Sequence, residues 1–318
     1  MTPTQLRAFA AVARCGSVKE AGLDLGVSGA AVSLNVAQLR KELGDRLFVR
    51  TSAGLAFTPG GLRLASRSAE MLGLQDRTIL EVSQAGAGRR LLRVAASSLF
   101  AEHAAPGLIE LFTSRADDLD VELSVRSSRQ FSSLLLARSA DVAIGPMSPD
   151  SDPSLVRTPF LKYQIVVVVR AGHPLAHGRI SLDQLRAQTW LLGPAAAAAV
   201  GAVPRMLRRI RVPEDHQRIF QSDAAALEET RRSNGVSLAV SFAVAQDVAN
   251  GRLVQLSGQG LQTDGVWSAL TLPEHGSSSA VAELTRFVTT PRATQAMLRG
   301  SGVNVSRFKP SVHVTLWS

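Results

Sequence analysis

The chain has 318 residues, 35 Lys and Arg against 26 Asp and Glu for a net charge of +9, 45% apolar residues and a mean hydropathy of +0.11. That length supports more than one domain, and no apolar run approaches the roughly 20 residues that a membrane helix needs. The one cysteine, Cys15, excludes a disulfide framework within the chain and a cysteine-based metal cluster, and is expected to be a buried structural thiol.

The positive charge is uneven. Residues 1–58 carry +3, 59–90 carry +2, 91–290 carry zero and 291–318 carry +4. A polyanion is therefore expected at the N-terminal end and not over the whole molecule. Met1 to Arg14 lack the basic start and small-residue cleavage site of a signal peptide, so a cytoplasmic chain with no membrane partner is expected.

Residues 3–14 read as a helix with Leu6, Phe9, Ala10 and Ala13 on one face. A short helical run, Ser17 to Leu25, breaks at Gly26-Val27-Ser28, and a longer one runs from Gly29 to Leu43. This is the grammar of a helix-turn-helix, whose second helix enters the major groove. Ser28 can cap that helix, and Gly44 can end it in the left-handed conformation. Val32, Val36, Leu39 and Leu43 form its apolar stripe. The opposite face carries Ala30, Ser33, Leu34, Ala37, Gln38 and Lys41, with Asn35 beside them. Ser33 and Gln38 suit base edges or phosphates, and Ala30 or Leu34 suits a thymine methyl. An ordinary amphipathic hairpin has the same periodicity, so the pattern by itself leaves both readings open.

Arg46 to Phe57 alternates as a two-strand wing turning at Ala53-Gly54, which brings Arg50, Thr51 and Ser52 to phosphate or the minor groove. Thr58 and Pro59 start a helix expected to reach about Gln84. Its Leu62, Ala65, Ala69, Leu72 and Ile79 follow heptad spacing, with Asp76 as misfit, and suit pairing with a second copy. Residues 85–90 read as a flexible joint.

From Leu91 short apolar strands alternate with helical runs. Strands are expected at Leu91–Ala96, Val121–Arg126, Asp141–Gly145, Gln164–Arg170, Trp190–Leu192, Ile219–Gln221 and Val236–Ser241, and helices at Ala105–Thr113 and Phe131–Ser139. The pattern is α/β with parallel sheets in two lobes. Phe160-Leu161-Lys162-Tyr163 and Val266-Trp267-Ser268-Ala269-Leu270 read as the crossovers. Lobe I is then 91–160 with 267–290, and lobe II is 161–266. Residues 291–318 read as a basic tail in which Val312 to Trp317 alternate like an edge strand.

Ala30-Ala31-Val32-Ser33, Leu39, Leu43-Gly44, Arg46-Leu47-Phe48-Val49-Arg50 and Thr58-Pro59-Gly60-Gly61, with Thr4 to Phe9 and Gly16-Ser17, resemble the N-terminal domain of LysR-type transcriptional regulators. Val94 to Ser98, Gly172-His173-Pro174-Leu175-Ala176 and Asn234 to Ala239 resemble that family's effector domain, so the likeness spans about residues 1–290. It implies a winged helix-turn-helix at 1–58, a linker and dimerisation helix with hinge at 59–90, and a two-lobed effector domain like the type 2 periplasmic binding proteins at 91–290. The partners it implies are double-stranded promoter or operator DNA, further copies of the chain as a homodimer or homotetramer, a small-molecule co-inducer in place of any cofactor, and RNA polymerase. Two departures stand out. Leu34 replaces a basic or polar residue, and Arg40 replaces an acid and is expected to add charge near DNA.

In such a cleft ligands meet strand C-termini and helix N-termini. Ser97, Ser98, Ser127, Ser128, Gly145, Pro146, Gly193, Pro194, Ser222 and Asp223 are the expected effector contacts, although each serine could equally cap a helix. Arg126 and Arg129 could pair with an acidic effector, and Ala195 to Ala199 make one wall apolar. No nucleophile motif, phosphate loop or HExxH is present, so no catalytic residue is expected. His173 and His177 are spaced i,i+4, yet Pro174 argues against a helix presenting both to a metal. A solute-binding or catalytic α/β protein with an accessory helical domain, and a ligand-blind architectural DNA binder, are the alternatives from other classes.

Overall fold

The computed structural model describes residues 1–51, 54–87, 89–148, 151–178, 180–273, 278–299 and 314–315. The chain forms two units, one of residues 1–87 with the short segment 136–139, the other of the remaining residues. The first contains helices α1 (Pro3–Cys15), α2 (Val18–Leu25) and α3 (Gly29–Leu43), strands β1 (Phe48–Thr51) and β2 (Gly54–Phe57), and helix α4 (Pro59–Ala87). Helix α1 starts with a reciprocal cap. Thr2 Oγ1 accepts from Gln5 N at 3.3 Å, and Gln5 Oε1 accepts from Thr2 N at 2.7 Å. Gly44 ends α3 at φ 64°, the left-handed cap the sequence requires.

Phe9, Val12, Ala21, Val32, Val36, Leu39, Leu47 and Phe48 form the core of this unit. Phe48 packs edge-on to Phe57 with ring centroids 5.7 Å apart, and burying each such large side chain contributes about 1.5–3 kcal/mol. Three expectations need correcting. Leu43 is 43% exposed, because the last turn of α3 projects past the core. Ala8, Ala11 and Val12, and not Ala10 and Ala13, complete the buried face of α1. Cys15 is half-buried instead of buried, since it closes that helix at its solvent end.

The second unit comprises β3 (Arg90–Ala96), α5 (Ser98–His103), α6 (Ala105–Thr113), β4 (Leu119–Val125), α7 (Phe131–Leu136), β5 (Val142–Gly145), β6 (Val156–Arg170) and α8 (Leu182–Arg186). There follow β7 (Trp190–Leu192), α9 (Ala202–Ile210), β8 (Gln217–Ile219), α10 (Asp223–Arg232), β9 (Val236–Val240), α11 (Ser241–Ala249), β10 (Leu253–Gln255) and β11 (Gln262–Thr271). Helices α12 (Ser279–Val288) and α13 (Pro291–Arg299) and strand β12 (Val314–Thr315) complete the order. The sheet is one mixed array, ordered β12-β4-β3-β5-β11-β6-β9-β7-β8 with β10 on β6. The expected parallel pairs occur in each half, β3 with β4 and β5, and β7 with β8 and β9.

What the sequence misses is the antiparallel pair β6 and β11 that joins the halves. Val156 to Val166 run against Thr271 to Gln262, with a bulge opposite Trp267/Ser268 that leaves Phe160 out of register. Pro159 and the polar residues around it hide this strand in a stretch that reads as a crossover. Strand β11 pairs with β5 on one side of the bulge and β6 with β9 on the other, so both strands pass through both halves. Trp267, fully buried, anchors the passage against Tyr163 at 4.2 Å and Phe100 at 5.3 Å between ring centroids.

The joint at 85–90 also differs. Helix α4 continues to Ala87, and Gly88 lies outside the described residues. Arg89 then pairs with Asp120 at 2.7 Å and Arg90 with Asp118 at 2.7 Å, so neither arginine is free for a polyanion. Residues 291–299, which the sequence places in a basic tail, form α13 with Ala293 and Met297 buried. Val314 and Thr315 lie parallel to β4 beside Leu123 and Ser124, while the rest of the alternating stretch 312–317 is outside the described residues.

His173 is buried, its Nδ1 accepting from Leu175 N at 3.0 Å and its Nε2 lying 3.1 Å from Asn234 O. Nδ1 is thus the acceptor and Nε2 carries the proton. Burial pushes its pKa below the ordinary 6.5. The folded state therefore takes up this proton less readily than the unfolded chain, and stability falls as the pH drops below about 6.5. The advantage of the wild type over a His173→Gln variant is expected to narrow over that range in urea titrations run at several pH values.

Candidate functional site

The first unit presents a mixed polar and apolar face along α3. Ser28 caps α3 through Oγ, which accepts from Ala31 N at 3.2 Å. Ala30, Ser33, Leu34, Ala37, Gln38 and Lys41 are exposed along the helix, Leu34 at 61%. Asn35 is half-buried, and its Nδ2 donates to Ala31 O at 2.9 Å in its own helix. Gln38 Oε1 accepts from Gln5 Nε2 at 3.3 Å, which orients the amide. On β1, Arg50 and Thr51 are exposed, Thr51 Oγ1 donating to Gly54 O at 3.0 Å. Ser52 lies outside the described residues, as does Ala53 at the wing turn.

A groove between α2, α3 and the wing gathers Ser33 with Lys19, Arg46 and Arg50. Sequence reasoning missed Lys19 and Arg46; only their charge signals them, because Lys19 comes from α2. Arg40 also reaches this groove, but its guanidinium donates to Phe48 O at 2.8 Å and lies 4.3 Å over the Phe48 ring. The charge expected near DNA is therefore fastened to the wing.

Helix α4 presents Leu62 and Ile79, about 60% exposed each, together with exposed Ala69. Leu72 is half-buried, and Ala65 packs with Leu64 against the domain core instead of facing outward. Met71, Leu74 and Val82 are further exposed apolar positions that the heptad stripe omits.

In the second unit a cavity of about 870 Å³ opens between the two halves. Of the expected contacts, Ser97, Ser98, Ser127, Ser128, Pro146, Pro194 and Ser222 line it. Gly145, Gly193 and Asp223 do not. Gly145 backs Ser97 and Phe131, and Asp223 packs so tightly on Gly193 that a Cβ there would lie 2.0 Å from Oδ1. Ala195, Ala197 and Ala198 supply the apolar wall. Arg126 lines the cavity, as do Glu102, Gln130 and Tyr163, which sequence reasoning did not single out.

The serines divide by chemistry. Ser127 Oγ accepts from Arg129 N at 3.4 Å, and Ser222 Oγ accepts from Ala225 N at 3.1 Å, so both cap helical turns. Ser97 occupies the cap position of α5 without making the capping bond. Its Oγ is buried with no partner among the described residues, and the Tyr163 hydroxyl is buried beside the Ala202 N–H. Buried polar groups are nearly always satisfied, so the Ser97 hydroxyl is a hydrogen-bonding group that the cavity leaves to a polar partner. Burial pushes the Tyr163 phenol up to about 12, so it stays a neutral donor.

Glu102 of α5 reaches across to α10, where its Oε2 accepts from Asp223 N at 2.8 Å and its Oε1 from Ala224 N. A carboxylate at a helix N-terminus is a favourable pairing of charge and dipole. Asp223 is buried against it. Burial first, and the Glu102 charge second, push its pKa up to about 8. Burial pushes the adjacent His103 down, which keeps its imidazole neutral.

The family model for bacterial regulatory helix-turn-helix proteins of the lysR family matches residues 3–62, and that for the LysR substrate binding domain matches residues 85–291. An HTH-type transcriptional regulator of Mycobacterium tuberculosis is 59% identical over 100% of both chains. The RuBisCO operon transcriptional regulator of Allochromatium vinosum is 27% identical over 83% of this chain and 87% of its own. Among solved structures, full-length CbnR complexed with its target DNA superposes with a TM-score of 0.55 at 19% identity, covering 94% of this chain and 100% of that one. The chain belongs to the LysR family of bacterial helix-turn-helix transcriptional regulators.

Proposed function

We propose that residues 1–58 read an operator through Ser28, Ala30, Ser33, Leu34, Asn35, Gln38 and Lys41 of the recognition helix and its cap, with Arg50, Thr51 and Ser52 at the wing. Residues 59–90 pair two copies through exposed Leu62, Ala69 and Ile79 with half-buried Leu72 between them, and residues 91–290 respond to a small molecule. That molecule occupies the cavity lined by Ser97, Ser98, Ser127 and Ser128. Its binding shifts the two lobes about the β6–β11 passage and so re-angles a homodimer or homotetramer on cytoplasmic promoter DNA, changing access for RNA polymerase. CbnR, whose structure is of a complex with its target DNA, has the same fold over its full length. The observation that carries the DNA half is the exposed face of α3 beside a groove holding Lys19, Arg46 and Arg50.

Titrating an operator fragment at several salt concentrations tests this. Six to ten phosphate contacts cost about 10³–10⁵ in affinity between 50 and 200 mM salt. Ser33→Ala and Gln38→Ala are expected to lose about 1–3 kcal/mol of specific binding. Arg7→Ala should leave it nearly unchanged, because Arg7 is engaged with Asp76 of α4 at 2.9 Å. Equal losses at all three positions, or no log-linear salt dependence, would overturn the proposed reading face.

A further inference from the structure

Glu102 and His103 end α5, and Asp223 begins α10. The two helices belong to opposite halves of the second unit, yet one ligand atom from each of these three side chains lies within 4.8 Å of the other two. His103 and Asp223 are both more than nine-tenths buried, at 6% and 5% exposure. Asp223 Oδ2 meets no hydrogen-bond donor among the described residues, and its side-chain neighbour is the Glu102 carboxylate. Glu102 accepts one backbone N–H on each oxygen, which leaves each oxygen a second lone pair.

We propose that Glu102, His103 and Asp223 form a site for a first-row divalent transition metal ion, which ties α5 to α10 across the cavity. One neutral imidazole and two carboxylates are the donor set that such ions take, while magnesium and calcium prefer sites made of oxygen alone. A buried carboxyl packed against a second, half-buried carboxylate favours a cation or a shared proton between them. An ion meets that preference and also engages the orphaned Asp223 oxygen. Ligand atoms at 2.0–2.2 Å from one zinc ion stand about 3.5 Å apart, inside the 4.8 Å within which these three already lie. Because the donors come from both halves, the ion braces the cavity at one end. Three protein ligands leave a coordination position open, and Glu102 faces the cavity. The site stands whether or not the cavity itself binds an effector.

The test uses the full chain, stripped with a chelator and then freed of it, with zinc alone as the probe in competition with a chromophoric chelator. One ion per protomer is expected, with at least tenfold weaker binding in each of Asp223→Asn and His103→Gln. Both variants must keep the circular dichroism spectrum of the wild type, and Glu102→Gln, which keeps one of the two acceptor oxygens that meet the α10 amides, serves as the third variant if either does not. Magnesium and calcium at the same concentration should not compete. Cobalt in place of zinc should give intense visible absorption in the wild type that these variants lose. A His177→Gln control should change nothing. If no ion binds, or if binding survives unaltered in the folded variants, the site is disproved and the shared proton is what holds the pair.

Discussion

Gly61→Ala is expected to abolish operator binding by opening the joint between recognition helix, wing and linker helix. A Cβ at residue 61 would lie 1.8 Å from Leu47 O and 2.7 Å from its carbonyl carbon. Leu47 cannot retreat. It holds a left-handed backbone at φ 62° with its side chain buried, a conformation that costs a branched residue about 1–3 kcal/mol and persists only where its surroundings enforce it. The enforcement is visible. Asp45 Oδ1 accepts from Leu47 N at 2.6 Å and from Thr58 Oγ1 at 2.7 Å, and Leu47 O accepts from Thr58 N at 3.0 Å. These bonds hold Asp45 below the usual carboxylate range. Thr58 Oγ1 also accepts from Gly61 N at 2.9 Å, which starts α4. One added methyl therefore strikes the point where three elements are fastened, and a cost of about 3 kcal/mol or more follows. Hydrogen exchange over residues 39–64 should accelerate about a hundredfold, with the effector sheet unchanged. Unaltered exchange would show that the joint relaxes freely.

That joint illustrates what a sequence carries. The Ser28 and Thr58 caps and the Gly44 stop are local signals, and each appears in the structure where its chemistry places it, whereas the apolar spacing of α1 and α3 places Leu6, Phe9, Val32, Val36 and Leu39 in the core but not Ala10, Ala13 or Leu43. The left-handed Leu47 has no such signal, because it is imposed by Asp45 and Thr58 from either side. The same division holds in the second unit. Trp190–Leu192 and Ala105–Thr113 are legible from apolar runs, whereas the first half of β6 is masked by Pro159 and Lys162 and recognised only through its partner β11. The serine positions around the cavity follow from strand ends. Glu102 carries no local signal, and Asp223, 121 residues away and expected at the cavity, is instead packed on Gly193 with its backbone N–H held by Glu102. Tyr163 is missed for a related reason. It lies in a stretch read as a crossover, and only the stacking of its ring on Trp267 shows why it is buried.

A metabolite that occupies the cavity at 100 times its dissociation constant should stabilise the second unit by about 2.7 kcal/mol, and Ala197→Trp should remove that gain. Ala197 lines the cavity and is exposed there, in the short turn Pro194–Ala197. An indole at this position fills space and displaces no packed neighbour, so the unliganded melting temperature should stay within about 2 °C of the wild type. Surface replacements of this kind usually alter stability by under 0.5 kcal/mol. Ser97→Ala tests the same cavity by chemistry instead of volume. Its buried hydroxyl has no partner to lose among the described residues, so the substitution leaves the free protein intact or slightly more stable while weakening a ligand that bonds to it by about 1 kcal/mol. Thermal shifts against a metabolite library, followed by operator titration with each hit, separate the outcomes. A hit lost in Ala197→Trp and weakened in Ser97→Ala sits in the cavity. A hit that survives both binds elsewhere, and operator affinity that ignores every hit would make the second unit a ligand-blind scaffold for the DNA-binding one.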